Sequence, residues 1–228
     1  MNELELVIFD LAGTTVQDQG QVPEAFAAAL AEHGLEATPE QVKAVRGASK
    51  RQALLNLIPA GPERARLADQ AYASFRAHLA QSYASKGVRA VAGAEEVFRW
   101  LRERDVRVAL NTGFDRETTS LLLGALGWAR GTADAVVCGD EVMQGRPAPY
   151  LIFRAMEAAG ASSVHTVANV GDTALDLLAG HNAGVRWNIG VLSGAHDRPT
   201  LAGAPHTHLL PSVADLSSVW ASAEGLRA

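Results

Sequence analysis

Short apolar runs and amphipathic helical patterns alternate over most of the chain, and no other feature narrows its choice of fold so far. Strand-like runs occupy residues 4–9, 106–111, 135–138, 164–170 and 185–189, with a weaker one at 206–210, and most end in turn-forming residues. Between the later runs, apolar residues at three and four spacings predict helices at 94–104, 116–126, 149–159, 173–181 and 212–223. Strands alternating with helices run parallel, because a parallel neighbour is reached only through a crossover. The pattern therefore predicts an α/β fold, a Rossmann-like parallel sheet with helices on both faces.

Residues 18–87 break the alternation, carrying helix signals and no convincing strand. Pro23 suits the first position of a helix with Phe26 and Leu30 on its apolar face. Thr38-Pro39-Glu40-Gln41 reads as a capping box, and Gly47 is placed to end that short helix. Ser49-Lys50-Arg51-Gln52 reads as a second capping box, opening a helix with Leu54, Leu55 and Ile58 on its buried side. The segment from Pro59 to Pro62 then turns the chain into a longer helix reaching about Tyr83. The expected organisation is a core domain of residues 1–17 and 88–228, interrupted by an all-helical insert of residues 18–87.

A chain of 228 residues can bury a full core and is long enough for an enzyme. With 48% hydrophobic and 20% charged residues it is globular, and a formal charge of -5 gives no electrostatic reason to expect nucleic acid or an acidic membrane surface. An anionic ligand then has to be held by local groups. The single cysteine, Cys138, excludes an internal disulfide and suits a reducing compartment. No apolar stretch approaches transmembrane length, and MNELEL is acidic where a signal peptide is basic. The expectation is a soluble cytoplasmic protein with a small-molecule partner.

In open parallel sheets, ligands bind beyond the carboxyl ends of the strands, so the residues just after each strand are the informative ones. The first run delivers Asp10 in "VIFDLAGTTV", the second Thr112 in "ALNTGFDR", and the fourth Asp172 in "ANVGDTALD"; "GRPAPY" after the third brings Arg146. Two carboxylates with a backbone carbonyl suit a hard divalent ion such as Mg²⁺. Thr112, Arg146 and the amides of the turn after Asp10 suit a phosphoryl group. No phosphate-binding P-loop is present, so the phosphoryl group belongs to a substrate and not to a bound nucleotide.

"FDLAGTT", "NTG", "GRPAP" and "GDTALD" follow one another in order over nearly the whole chain. By these motifs the sequence resembles the haloacid dehalogenase (HAD) superfamily of phosphoryl-transferring hydrolases, and within it the phosphonatase branch. The resemblance implies an HAD-like core with a helical cap and makes Asp10 the nucleophile that becomes an aspartyl phosphate. It also implies that Mg²⁺ is held by Asp10, the carbonyl of Ala12 and Asp172, with Asp176 in support. Thr112 and Arg146 would grip the transferring group, with Thr14, Thr15 and Gly113 beside it. A homodimer is an expectation from the resemblance alone.

Ala12 is the informative departure from ester-cleaving relatives. Their acid two residues past the nucleophile protonates a departing alkoxide, a role worth about 10²- to 10⁴-fold in rate, and alanine cannot perform it. Phosphonatases are similar in carrying alanine there, because a cap lysine first converts the substrate aldehyde into an iminium that accepts the electrons of the breaking phosphorus–carbon bond. Lys50 in "RGASKRQAL" stands where that lysine lies. At the first helical position, with Arg46 and Arg51 nearby, its charged form is disfavoured, which is what an amine nucleophile needs. The family's methionine four residues before the lysine is here Arg46, and its histidine three residues after is Ala53. Arg46 would suit a substrate with an extra carboxylate or phosphate. The expected activity is Mg²⁺-dependent hydrolysis of phosphonoacetaldehyde or a related phosphonate; a phosphomonoesterase and a catalytically silent binding module are the alternatives.

Each residue also has a plainer reading. Asp10 can be a strand-end aspartate, Thr112 a strand-end cap, Arg146 a turn residue and Lys50 a solvated first-turn lysine. Thr173-Ala174-Leu175-Asp176 is itself a capping box. His206 and His208 share a strand face but have no third ligand near them in sequence. Asp115 reads as an N-cap, Cys138 as packing, and Trp100, Trp128, Trp187 and Trp220 as core or subunit contacts.

Overall fold

The structure is a computed structural model and describes residues 4–221. The first strand, β1 (Leu6–Asp10), is buried along its whole length and is followed by four helices: α1 (Gln21–Ala31), α2 (Pro39–Ala44), α3 (Lys50–Leu57) and α4 (Arg64–Lys86). The chain then alternates: α5 (Ala94–Arg102), β2 (Arg107–Asn111), α6 (Arg116–Ala125), β3 (Ala135–Val137), α7 (Tyr150–Ala159), β4 (Val167–Gly171), α8 (Ala174–Ala183), β5 (Trp187–Val191), α9 (Arg198–Ala202), β6 (His208–Leu210) and α10 (Ser217–Ala221). No helix among the described residues is long and apolar enough to cross a membrane.

All six strands are parallel, in the order β3-β2-β1-β4-β5-β6. The chain winds outward from β1 in both directions, so the topological switch point lies between β1 and β4. There the crossovers leave to opposite faces and open a crevice beyond the strands' carboxyl ends. The strands are apolar on both faces, as a sheet covered on both sides requires. On one side of the sheet, Phe9, Phe98 and Trp128 pack edge to face. The helical insert has its own apolar contact, α1 against α4, where the Phe26 and Phe75 rings lie 4.6 Å apart.

Differences from the sequence-based expectations are local. The run expected at 164–170 opens with a 3-10 turn, Val164–Thr166, capped by the Ser163 side chain, and only then enters β4. The helix at Pro23 starts two residues earlier, because Asp18 Oδ1 accepts the amides of Gly20 and Val22 and begins the turn upstream of the proline. Ser49 sits at the N-cap of α3, yet its side chain makes no capping bond. The helix expected at 212–223 is divided into a 3-10 turn, Val213–Asp215, and α10; residues 222 and 223 lie outside the described residues. The capping boxes at Thr38 and Thr173 and the cap at Asp115 are formed as expected.

Candidate active site

Asp10 ends β1, and Thr112 and Asp172 follow β2 and β4, so the flanking order of these strands brings all three to one crevice. Arg146, from the segment between β3 and α7, reaches the same place. Its Nη1 lies 2.8 Å from Asp10 Oδ1 and its Nε lies 2.9 Å from Asp176 Oδ1. Nη2 also donates to Asn111 Oδ1, and Nη1 to the Gly47 carbonyl at 3.3 Å. The guanidinium is thus held on the core side by three acceptor side chains and touches the insert through Gly47. Asn111 stands in the "NTG" motif but was not legible as a site residue, because its role depends on Arg146, 35 residues further along the chain.

Asp172 is fully buried. Its Oδ1 accepts the Thr14 hydroxyl at 3.1 Å and its Oδ2 the Ala195 amide at 2.7 Å. Burial raises the Asp172 carboxyl above the usual range, and the neighbouring Asp10 and Asp176 charges add to the rise. Asp10 is raised by burial as well, although Arg146 opposes the effect. Asp176 has one oxygen on Arg146, while the other accepts from Thr173 and completes the box that starts α8. One Asp176 side chain therefore both completes the cap of α8 and holds Arg146.

Thr14 and Thr15 do not meet the expectation that they face a substrate. Both are fully buried; Thr15 donates to the Asp10 carbonyl at 2.9 Å, and the amides of Gly13, Thr14 and Thr15 bond within the turn. They are not free anion donors, and their role is to hold the turn that presents Asp10. Gly13 has a positive φ of 97°, and a Cβ there would fall 2.3 Å from Asp172 Oδ2, so the turn accepts only glycine.

The insert contributes Lys50 and Arg46. Lys50 is 7% exposed; its Nζ donates to the Ala48 carbonyl at 3.3 Å and stands 4.8 Å from the centre of the Phe114 ring. Among the described residues no carboxylate comes within ion-pair distance of it. Burial, with the Arg46 charge next, lowers its pKa to about 8. Arg46 pairs with Asp18 in a nearly buried ion pair. Ala53, where a histidine stands in the family, is fully buried.

These residues enclose a cavity of about 10 Å³ lined by Asp10, Ala12, Arg46, Lys50, Thr112, Phe114, Arg146 and Asp172. It holds about one water, so insert and core are drawn together over the crevice. Two clasps flank it. On one side, the α4 residues Tyr72 and Arg76 both bond Asp115, the cap of α6, at 2.5 and 3.2 Å. On the other, His196 Nδ1 accepts the Ala174 amide at 3.0 Å, and its Nε2 lies 3.3 Å from the Lys43 carbonyl of the insert. Burial lowers the His196 pKa, consistent with a neutral ring that accepts at Nδ1 and donates at Nε2.

Asp10, Ala12 and Asp172 line the same cavity, and carboxylates with a backbone carbonyl are the hard oxygen donors that Mg²⁺ takes. Mg²⁺ takes such a partial set and keeps several waters. Burial is the main cause of the raised Asp10 and Asp172 carboxyls, with neighbouring carboxylates adding to it, and a cation at the site would favour their charged forms.

Residues 7–189 match the family model for haloacid dehalogenase-like hydrolases. The chain is 28% identical over 215 residues to a phosphonoacetaldehyde hydrolase of Bacillus cereus (strain B4264), covering 86% of this chain and 78% of the relative. It is 30% identical over 212 residues to one of Parabacteroides distasonis, covering 86% and 79%. Its fold is similar to the crystal structure of a phosphonoacetaldehyde hydrolase-like protein from Oleispira antarctica, with a TM-score of 0.82 and 23% identity over 95% of this chain and 91% of that one. With its motifs at the switch point of a six-stranded parallel sheet and the family match spanning most of its length, the chain belongs to the haloacid dehalogenase-like hydrolases, and it is an enzyme.

Proposed function

We propose that the enzyme cleaves the phosphorus–carbon bond of phosphonoacetaldehyde or a related phosphonate, through an imine on Lys50 and an aspartyl phosphate on Asp10. The observation that carries this reading is a buried amine with no acid partner in the same cavity as Asp10, where Ala12 occupies the position of an ester hydrolase's acid. With a pKa of about 8, the amine has a neutral fraction able to attack a carbonyl at neutral pH.

In this reading Lys50 Nζ adds to the substrate aldehyde and, with loss of water, forms an iminium. An Asp10 oxygen then attacks phosphorus as the phosphorus–carbon bond breaks. The bond's electron pair passes to carbon and is drawn toward the iminium nitrogen as an enamine. Protonation at carbon and hydrolysis return Lys50 and release the aldehyde, and water cleaves the aspartyl phosphate. Thr112 and Arg146 orient the phosphoryl group, and Asp176 and Asn111 hold Arg146 in place. Asp10, Asp172 and the Ala12 carbonyl would hold Mg²⁺, which would supply positive charge toward the phosphoryl group.

The cavity is too small for any phosphonate, so residues 18–87 act as a cap that swings from the core to admit substrate and closes to exclude water. Phosphate release from phosphonoacetaldehyde tests the reading. Wild type should release phosphate, while Asp10→Asn and Lys50→Arg should each lose at least about 10³-fold. Turnover of phosphate esters that survives Lys50→Arg, with none of phosphonoacetaldehyde, would replace it with an ester hydrolase.

A further inference from the structure

Arg46 is not explained by the chemistry above. Arg46 lines the cavity together with Lys50, and its side chain is 11% exposed. Among the described residues it makes one side-chain bond, through Nη2 to Asp18. Asp18 is itself anchored, because its other oxygen accepts the amides of Gly20 and Val22 at 3.2 and 3.5 Å. The pair therefore fixes Arg46 in the cavity wall and leaves Nε and Nη1 without a hydrogen-bond partner among the described residues. The phosphoryl end has its own cation in Arg146, bound to the core carboxylates. A second fixed guanidinium on the cap side, next to the amine that takes the carbonyl, has no second anionic group to meet in phosphonoacetaldehyde, whose carbonyl carbon carries a hydrogen beside the phosphonomethyl group.

We propose that Arg46 is a specificity-determining residue that binds a carboxylate attached to the substrate's carbonyl carbon, which makes 2-oxo-3-phosphono acids the preferred substrate class. A guanidinium offers a planar pair of donors that matches a carboxylate. The inference rests on the phosphonatase reading and keeps its chemistry. Lys50 Nζ condenses with the ketone and water leaves; Asp10 takes the phosphoryl group as the phosphorus–carbon bond breaks. The released electron pair forms the enamine, which gains a proton at carbon. Hydrolysis then frees a 2-oxo acid and the amine, and water frees phosphate from Asp10, with no oxidant or reductant required.

The test compares phosphate release from 3-phosphonopyruvate and from phosphonoacetaldehyde in wild type and Arg46→Met. Any effect of Arg46 on the shared amine alters both substrates and cancels in the ratio of their kcat/KM values. Wild type should favour 3-phosphonopyruvate, and Arg46→Met should lower that ratio about 10- to 100-fold, the worth of a charged hydrogen bond. The double variant Asp18→Asn/Arg46→Met, which removes the buried pair together, should show the same fall even if the single variant folds poorly. An unchanged ratio, or a wild type that cleaves only phosphonoacetaldehyde, overturns the carboxylate subsite and leaves the phosphonatase reading standing. Absence of cleavage with both phosphonates, alongside ester turnover that survives Lys50→Arg, overturns both.

Discussion

The main-chain amide of Lys50 donates to the carbonyl of Gly113 at 3.1 Å, fastening the first residue of α3 to the loop that follows β2. A bond between backbones fixes the lysine's Cα whatever its side chain does. Cap and core therefore meet beneath the amine, and a Cβ built on Gly113 would lie 2.4 Å from the Ala48 carbonyl oxygen.

Gly113→Ala tests that contact. Gly113 does not adopt a positive φ, so alanine suits the core backbone, and only the approach of the cap is blocked. Displacing the cap by even ~1 Å is expected to lower phosphonate turnover about 10²-fold, with little change in thermal unfolding. Unaltered turnover would show that this closure is not needed for catalysis.

The amine gives a pH dependence with a definite sign. Turnover that requires neutral Lys50 should rise with pH through about 8 and then level, and Arg46→Met, which removes a like charge, should move the inflection upward. Stability follows the same linkage. The folded pKa is depressed, so the unfolded chain binds more protons between about 8 and 10.5, and stability rises with pH across that window. Lys50→Met should be more stable than wild type below pH 8, by on the order of 1–3 kcal/mol, with the gain shrinking above it. Denaturant unfolding at pH 7 and pH 10 checks this.

The clasp on Asp115 should govern opening. Tyr72→Phe removes one of its two cap-side bonds and leaves Arg76 in place. Exchange of the Lys50 amide, which the closed cap protects, should quicken about 5- to 10-fold, in line with a bond worth about 1 kcal/mol. Amides of β1 should keep their protection. Equal acceleration at both sites would mean that the variant loosens the whole fold.

Mg²⁺ should stabilise the chain through the crowded carboxylates. At pH 8 a concentration 100 times the dissociation constant adds ~2.7 kcal/mol, or a rise in Tm of about 5–10 °C for a chain of this size. Asp10 and Asp172 are raised to about 6 and about 7, so in the ion-free protein their repulsion is absent at low pH and appears as pH rises through those values. The Mg²⁺-induced rise should accordingly be small at pH 5 and large at pH 8. Scanning calorimetry with Mg²⁺ or chelator at both values measures it.

Much of this was legible because its signals are local. A buried strand ending in Asp10, a box at Thr173 and a cap at Asp115 depend on neighbours a few residues away, and each formed as read. The parallel sense of the sheet followed from the alternation of strands and helices, whereas the strand order came only from the structure. What the sequence concealed depends on partners far along the chain. Ser49 looked like a capping serine, but its side chain makes no capping bond, and the first amide of α3 donates to Gly113, more than sixty residues on. Thr14 and Thr15 read as anion donors, yet the fold directs their hydroxyls to Asp172 and to the Asp10 carbonyl. Asn111, Asp18 and His196 acquire their importance through Arg146, Arg46 and the Lys43 carbonyl, each well separated along the chain, and no spacing marks these pairings.

The most direct measurement is borohydride reduction of the enzyme in the presence of phosphonoacetaldehyde, followed by peptide mass analysis. The account predicts one reduced adduct, on the peptide that carries Lys50, absent without substrate and absent in Lys50→Arg. A protein that releases phosphate from phosphonoacetaldehyde while Lys50 stays unmodified would contradict it.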